Sequence, residues 1–236
     1  MAQDLNLLLV TAASLGFVHT LFGPDHYIPF IAMGKARKWG IAKTLAITAA
    51  CGIGHVMSSI VIGFVGIAFG MAVFRLEALE AFRGNIAAWA MIAFGLAYFV
   101  WGMHAVYSGR PHKHVHFHED GSRHEEMHTH SGGHAHVHGE GKANITPWVL
   151  FVIFVLGPCE PLIPLLMYPA AAGSLAGVGM VSLFFGSVTV LTMMAVVYLF
   201  SRGIELLPAK AFEKYIHPIS GAMIFISGMA IVFLGL

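Results

Sequence analysis

The sequence HTLFGPDHYIP, residues 19–29, places two histidines and an aspartate beside a Gly-Pro pair inside an otherwise apolar run. The run is long enough to cross a membrane, where each polar group is costly. Two explanations account for such residues. They satisfy backbone groups that the break frees, or they bind something within the membrane.

The composition is that of an integral membrane protein. Of the 236 residues, 57% are hydrophobic and only 11% are charged, and the mean hydropathy is +0.76. Soluble domains average about 45–50% apolar and about 25% charged residues. The lipid bilayer is therefore the first expected partner, and the net charge of +1 indicates no nucleic-acid surface. Cys51 and Cys159 lie in apolar runs and are poor candidates for a disulfide framework.

Six apolar runs are each near or above the roughly 20 residues that a membrane-spanning helix needs. Proline removes a backbone donor and clashes with the preceding turn. The first run is therefore expected to break at Gly23-Pro24 and the fourth at Gly157-Pro158. The sequence predicts an all-α membrane protein of six transmembrane helices. The runs cover residues 4–34, 42–74, 84–108, 145–171, 175–200 and 216–236.

Lysines and arginines orient the predicted bundle. Eleven of them follow helices 1, 3 and 5, whereas only Arg75 and Arg83 follow helix 2. By the positive-inside rule, both termini are expected outside and the loops after helices 1, 3 and 5 in the cytoplasm. The predicted location is the inner (plasma) membrane of the cell, which the chain crosses several times.

An internal repeat is visible when GPDHYIPFIAM (23–33) is laid on GPCEPLIPLLM (157–167). Two further short strings match at nearly the same offset. Three spans in each half make the second copy start from the opposite side of the membrane, so the repeats are expected to be inverted. The predicted units are a first three-helix repeat at 1–109, a His-rich cytoplasmic loop at 110–143 and a second three-helix repeat at 144–236.

The loop between the two halves contains ten of the fifteen histidines. It has too little apolar content to fold alone, and imidazole suits transition metals such as nickel, cobalt, zinc and copper. An auxiliary metal-binding role is expected for this loop, although loop binding alone does not establish transport. Its histidines are His112, His114, His116, His118, His124, His128, His130, His134, His136 and His138.

Apart from the ends of the runs, two carboxylates remain in the predicted membrane part, Asp25 and Glu160, one at each Gly-Pro break. A charge at the bilayer centre costs about 2.5–3.5 kcal/mol on insertion scales. Two carboxylates at matching positions therefore suggest one shared cation site near the midplane. Nearby nitrogen and sulfur donors suit a transition-metal ion better than Mg²⁺ or Ca²⁺. The candidate ligands are His19, Asp25, His26, His55, Cys159 and Glu160.

The motif VHTLFGPDH at 18–26, followed by GHVMSS at 54–59, resembles the nickel/cobalt transporter superfamily, including its urease-accessory and sulfite-exporter-like relatives. The resemblance implies a non-enzymatic, alternating-access transporter of divalent ions, nickel or cobalt first, with the ion as cargo and no resident cofactor. A cytoplasmic metallochaperone is an expected partner. A Gly-Pro pair stands where the uptake permeases carry an acidic stretch, which leaves the metal and the direction open. The ligand role carries over to His19, Asp25, His26 and His55.

Three other functions stay open at this point. The stretch GPCEPLIP at 157–164 also resembles the Pro-Cys motif of thiol-electron carriers that act across membranes. Such carriers need one cysteine from each repeat, whereas Asp25 matches Cys159 and the other thiol, Cys51, lies in a different helix. An anion exporter would need a cationic site, and no Lys or Arg is predicted deep in a span. The third alternative is a membrane metal sensor without flux.

Overall fold

The computed structural model describes residues 2–108, 112–117, 123–128, 146–205 and 213–235. Eight α-helices form the bulk of the described chain, with short 3-10 turns at Pro24–His26 and Glu213–Tyr215 and one β-hairpin. The helices are α1 Ala2–Phe22, α2 Ile28–Ala36, α3 Ile41–Ala68, α4 Val73–Ser108, α5 Thr146–Leu156, α6 Leu162–Ala171, α7 Leu175–Glu205 and α8 Ile216–Leu234. The strands are β1 His112–Phe117 and β2 Arg123–His128.

Five of the described helices, α1, α3, α4, α7 and α8, are long and apolar enough to cross a membrane. Their mean hydropathy is 1.7–2.1. The prediction of a multi-pass helical membrane protein is therefore confirmed. The fourth predicted span is divided into α5 and α6, of 11 and 10 residues. Each is about 15–17 Å long, which is half of a hydrocarbon core of about 30 Å.

Both Gly-Pro pairs end a helix, as the sequence predicts. α1 ends at Phe22, directly before Gly23, and the 3-10 turn at Pro24–His26 leads into α2. α5 ends directly before Gly157, and α6 begins at Leu162. Each break frees backbone groups that need partners in lipid, because no water is there to bind them.

α4 begins at Val73, well before residue 84, where the sequence predicts its start. The predicted outside loop that contains Arg83 is therefore wrong, since this arginine lies inside the helix. Hydropathy misses the first turns because they are rich in charge. Their helical spacing nevertheless brings Leu76, Glu80 and Arg83 to one face. That face is buried, with exposures of 1%, 0% and 9%.

α4 and α8 pack closely at glycines. A Cβ added to Gly221 would clash with the backbone of Phe99, and one added to Gly95 would clash with the backbone of Phe225. Small residues are the usual means by which helices in lipid approach one another. This contact holds α8 along the helix that carries Glu80.

The hairpin lies in the segment between α4 and α5. β1 and β2 are antiparallel, with His112 opposite His128 and His116 opposite His124. The division of the chain into three units and metal binding by the loop stay predictions. Five loop histidines lie outside the described residues, namely His118, His130, His134, His136 and His138.

Candidate functional site at the helix breaks

Three histidines from α1, the first break and α3 form one cluster. The ring centroids of His19 and His26 are 4.8 Å apart, and those of His26 and His55 are 5.1 Å apart, both edge to face. One side-chain nitrogen from each ring lies within 4.8 Å of the others. His26 and His55 are each only 2% exposed. In a continuous helix, residues seven positions apart lie two turns apart, whereas the break brings His26 back beside His19.

Hydrogen bonds decide which nitrogen of two of these rings is left for a ligand. His26 Nδ1 lies 3.1 Å from Asp25 Oδ1 and 3.2 Å from the Gly23 carbonyl oxygen. Both partners accept, so Nδ1 carries the proton and donates. His55 Nδ1 donates in the same way to the Phe154 carbonyl at 3.1 Å. In the neutral rings, Nε2 of each therefore presents a lone pair.

The Nε2 atoms of His19, His26 and His55 are all buried without a hydrogen-bond partner. An unpaired buried polar group costs about 1–3 kcal/mol, so packing alone does not explain three of them together. Zinc bonds to histidine of about 2.0–2.1 Å place tetrahedral ligand nitrogens about 3.4 Å apart. The cluster would have to close by about 1 Å or a little more around an ion. The three histidines therefore fit a transition-metal ion in number and donor type.

A cavity of about 290 Å³ opens beside the cluster. Its lining includes His19, His26 and His55, and also Gly157 and Pro158 of the second break. Both helix breaks therefore contribute to one cavity. Asp25 lines it as well, with 20% of its side chain exposed.

Glu160 and Cys159 do not line this cavity. The Glu160 side chain is exposed, whereas Cys159 is wholly buried. The sequence predicted that Glu160 and Asp25 share one site, whereas Glu160 lies outside the cavity that Asp25 lines. The buried carboxylate at the second break is Glu80 instead.

Glu80 and Arg83 of α4 form a buried ion pair at the second break, between Arg83 Nη1 and Glu80 Oε1. Glu80 Oε2 accepts hydrogen bonds from Ser59 Oγ at 2.8 Å and from the backbone N–H of Cys159 at 3.0 Å. The carboxylate thus joins α3, α4 and the break.

The Arg83 guanidinium satisfies the other side of the break. Its Nη2 donates to the carbonyl oxygens of Val155 at 2.8 Å and Gly157 at 3.2 Å. These carbonyls lie at the end of α5, where the last turn has no partners of its own. Nη2 also donates to Ser58 Oγ at 2.6 Å, and that hydroxyl donates to the His55 carbonyl at 2.7 Å. The network therefore runs from the break to the histidine cluster.

Sequence reasoning missed this ion pair. It counted only Asp25 and Glu160 as carboxylates inside the membrane, and the statement that no Lys or Arg lies deep in a span is wrong for Arg83. The signal was present in the i, i+3 spacing of Glu80 and Arg83 on the face that also carries Leu76. Because Glu80 neutralises Arg83, the pair does not supply the cationic site that an anion exporter would need.

The fold and the site define a class of multi-pass helical membrane protein in which two helix breaks line one cavity beside a buried histidine cluster. Residues 28–230 match the family described as the cytochrome c biogenesis protein transmembrane region. The match covers most of the chain, and the chain belongs to this family of thiol-redox membrane proteins. No curated protein and no solved structure matches the chain.

This family match shows that the predicted membership of the nickel/cobalt transporter superfamily is wrong. It also contradicts nickel or cobalt transport as the function. The metallochaperone expected as a partner has no support either. The motif at 18–26 lies ahead of the matched residues and is short. Polar residues beside a Gly-Pro pair can also form hydrogen bonds with the backbone groups that the helix break frees. Such a motif therefore does not identify a transporter. The thiol-redox alternative is the one that the family supports.

Glu80→Gln is expected to lower the free energy of unfolding by about 3–5 kcal/mol, because it leaves Arg83 buried without its counter-charge. Thermal or denaturant unfolding of the detergent-solubilised protein measures the change. Glu77→Gln is the matched control: the same chemical change at an exposed position of α4, with an expected effect within about 0.5 kcal/mol. Equal stabilities of the two variants would contradict the structural role of the pair.

Proposed function

We propose that the chain is a membrane thiol-redox protein of the cytochrome c biogenesis type, with Cys159 as its reactive thiol. The observation that carries the proposal is the position of Cys159, which follows Gly157-Pro158 directly and lies within the family-matched residues. Its backbone N–H is held by the Glu80 carboxylate. Non-helical backbone at membrane depth is tolerated where it is buried in protein or lines a cavity, and such breaks are where membrane helices place functional groups.

Cys51 is the second thiol that a dithiol–disulfide cycle needs. The Cys159 thiolate attacks one sulfur of a partner protein's disulfide, which forms a mixed disulfide and releases the partner's other thiolate. Cys51 then attacks Cys159, which forms the intramolecular disulfide and releases the partner's second thiolate. The chain loses two electrons and two protons, and the partner's disulfide gains them as two thiols. The reverse exchange with a second dithiol restores the chain.

The exchange requires a conformation other than the one described. Both thiols are free and buried. Cys51 belongs to a core cluster with Met193, and Cys159 to another with Leu162. A disulfide needs Cα atoms within about 7 Å of each other, and a partner needs access to one sulfur. The half-length helices α5 and α6 on either side of the break are the elements whose rearrangement would bring this about.

The finer architecture belongs to the same proposal. α5 and α6 together would cross the bilayer as one broken span, and α1 with α2 would take the matching place in the first half. Six spans in two inverted three-helix repeats follow from this pairing. By the positive-inside rule, both termini then lie outside the cell membrane and the His-rich loop lies in the cytoplasm.

Cys51→Ser is expected to accumulate a mixed disulfide with the partner, because the thiol that resolves the adduct is gone. Non-reducing electrophoresis of membranes from expressing cells should reveal an adduct that disappears on reduction. Cys159→Ser should form none, and the double Cys51→Ser/Cys159→Ser variant is the blank. An adduct in Cys159→Ser equal to that in Cys51→Ser would contradict the assignment, as would its absence from Cys51→Ser.

The histidine cluster supports a second function, the binding of a transition-metal ion without transport. Three buried Nε2 atoms without partners favour it, since an ion would satisfy all three at once. Asp25 would support the ligand His26 without touching the ion itself. Its carboxylate accepts a hydrogen bond from Nδ1 of His26 and so orients the ring. Its negative charge also offsets the charge of a cation in the cavity.

His55→Ala is expected to lower the Zn²⁺ content of the purified chain by one ion, measured by elemental analysis after desalting. His104→Ala, at an exposed histidine of α4, is the control and keeps the content of the unaltered chain, loop histidines included. Asp25→Asn should weaken binding by about 10–100-fold, as removal of a histidine's carboxylate partner does at other metal sites. Equal zinc contents in His55→Ala and His104→Ala would contradict the site.

A further inference from the structure

A second cavity, of about 500 Å³, lies where α2 ends and α3 begins. It shares no lining residue with the cavity at the helix breaks. Lys35, Lys38 and His217 line it, and no acidic residue does so among the described parts of the chain. The rest of the wall is largely apolar and includes Trp39 and Ile41. We call this cavity the basic pocket.

Lys38 adopts a left-handed backbone conformation with a φ of +52°, the only positive φ at a non-glycine residue in the described ranges. α2 ends at this turn, where the N–H of Lys38 donates to the Lys35 carbonyl at 3.2 Å and that of Trp39 to the Gly34 carbonyl at 2.8 Å. Glycine is the usual residue there, because a Cβ is unfavourable in this conformation. Lysine at a strained position that lines a cavity points to a role for its side chain.

Further positive charge lies beside the pocket. The Arg37 guanidinium lies 5.6 Å from the centre of the Tyr98 ring, and the Tyr98 hydroxyl lies 2.9 Å from His217 Nδ1. α3 begins at the pocket, and its N-cap, Gly40, offers no side chain to the first N–H groups of the helix. These groups add partial positive charge to that of the lysines.

The pocket lies at the level where the membrane helices end. α3 begins with Ile41 and α8 with Ile216, and both residues line the pocket together with Ile204 near the end of α7. The basic residues between the helix ends match the negatively charged headgroup of a phospholipid. The apolar wall matches the glycerol and the first part of the acyl chains. A free phosphate would use the lysines but not this apolar wall.

We propose that the basic pocket binds a phosphate-bearing anion, and that this anion is the headgroup of an acidic phospholipid. The proposal stands apart from the thiol chemistry, because it rests on a different cavity and on different residues. Its consequence is that a bound lipid would tie together the ends of α2, α3, α7 and α8.

The test uses the full-length chain in a neutral detergent and counts bound lipid by native mass spectrometry. Short-chain phosphatidylglycerol should bind at one site, and phosphatidylcholine with the same chains should bind at least about tenfold more weakly. Equal binding of the two lipids would overturn the requirement for an anion. Inorganic phosphate should displace phosphatidylglycerol poorly, and displacement at equal concentration would overturn the lipid as its source.

Lys38→Gly is the decisive variant, because it removes the charge and at the same time relieves the left-handed strain. The affinity for phosphatidylglycerol should fall about fivefold while the Tm stays the same or rises. Lys35→Gln, a second variant that leaves the turn unchanged, should weaken binding similarly. Lys214→Gln is the control, since it removes a positive charge from the 3-10 turn before α8, outside the pocket. An unchanged affinity in Lys38→Gly and Lys35→Gln, or an equal loss in Lys214→Gln, would overturn the proposal.

Discussion

A helix break that is buried away from water leaves backbone carbonyls and amides in need of partners, and in this protein the Glu80–Arg83 ion pair supplies them at the second break. Arg83 donates to the carbonyls of Val155 and Gly157, and Glu80 accepts the amide of Cys159. Each residue also neutralises the other, which makes two buried charges tolerable. The direction of the chain on both sides of the break depends on this pair. The contact between α5 and His55 therefore depends on it as well.

The two breaks are stabilised by different means. At the first break the chain largely supplies its own partners: the Gly23 amide donates to His19, the His26 amide to Gly23, and the His26 ring to Asp25. At the second break the partners come from α4. This asymmetry accounts for the different chemistry of the two breaks. The first break carries ionisable residues that can act as metal ligands. The second break carries a thiol, and Glu80 and Arg83 of α4 supply the hydrogen-bond partners of its backbone.

Hydropathy and proline positions predicted the membrane class and both helix breaks, because these depend on local sequence. The histidine cluster was also within reach, since polar residues in apolar runs tend to face one another. The ion pair was harder to find. The i, i+3 spacing of Glu80 and Arg83 indicated it, but both residues lie in a stretch whose charge resembles a loop, and their partners at the break are more than 70 residues away. The exposure of Glu160 was equally hidden, as it depends on the path of the chain after Pro158. A short motif at 18–26 could not reveal the family, because a helix break constrains those residues whatever the protein does.

The central claim is that Cys51 and Cys159 form a redox couple, and the most direct measurement is to map the thiols of the full-length protein by mass spectrometry. The protein is equilibrated in lipid with an oxidising thiol buffer, unfolded, alkylated and digested. The account predicts a disulfide-linked peptide pair that joins Cys51 to Cys159, which a reducing buffer abolishes. Full alkylation of both cysteines under oxidising conditions would contradict it.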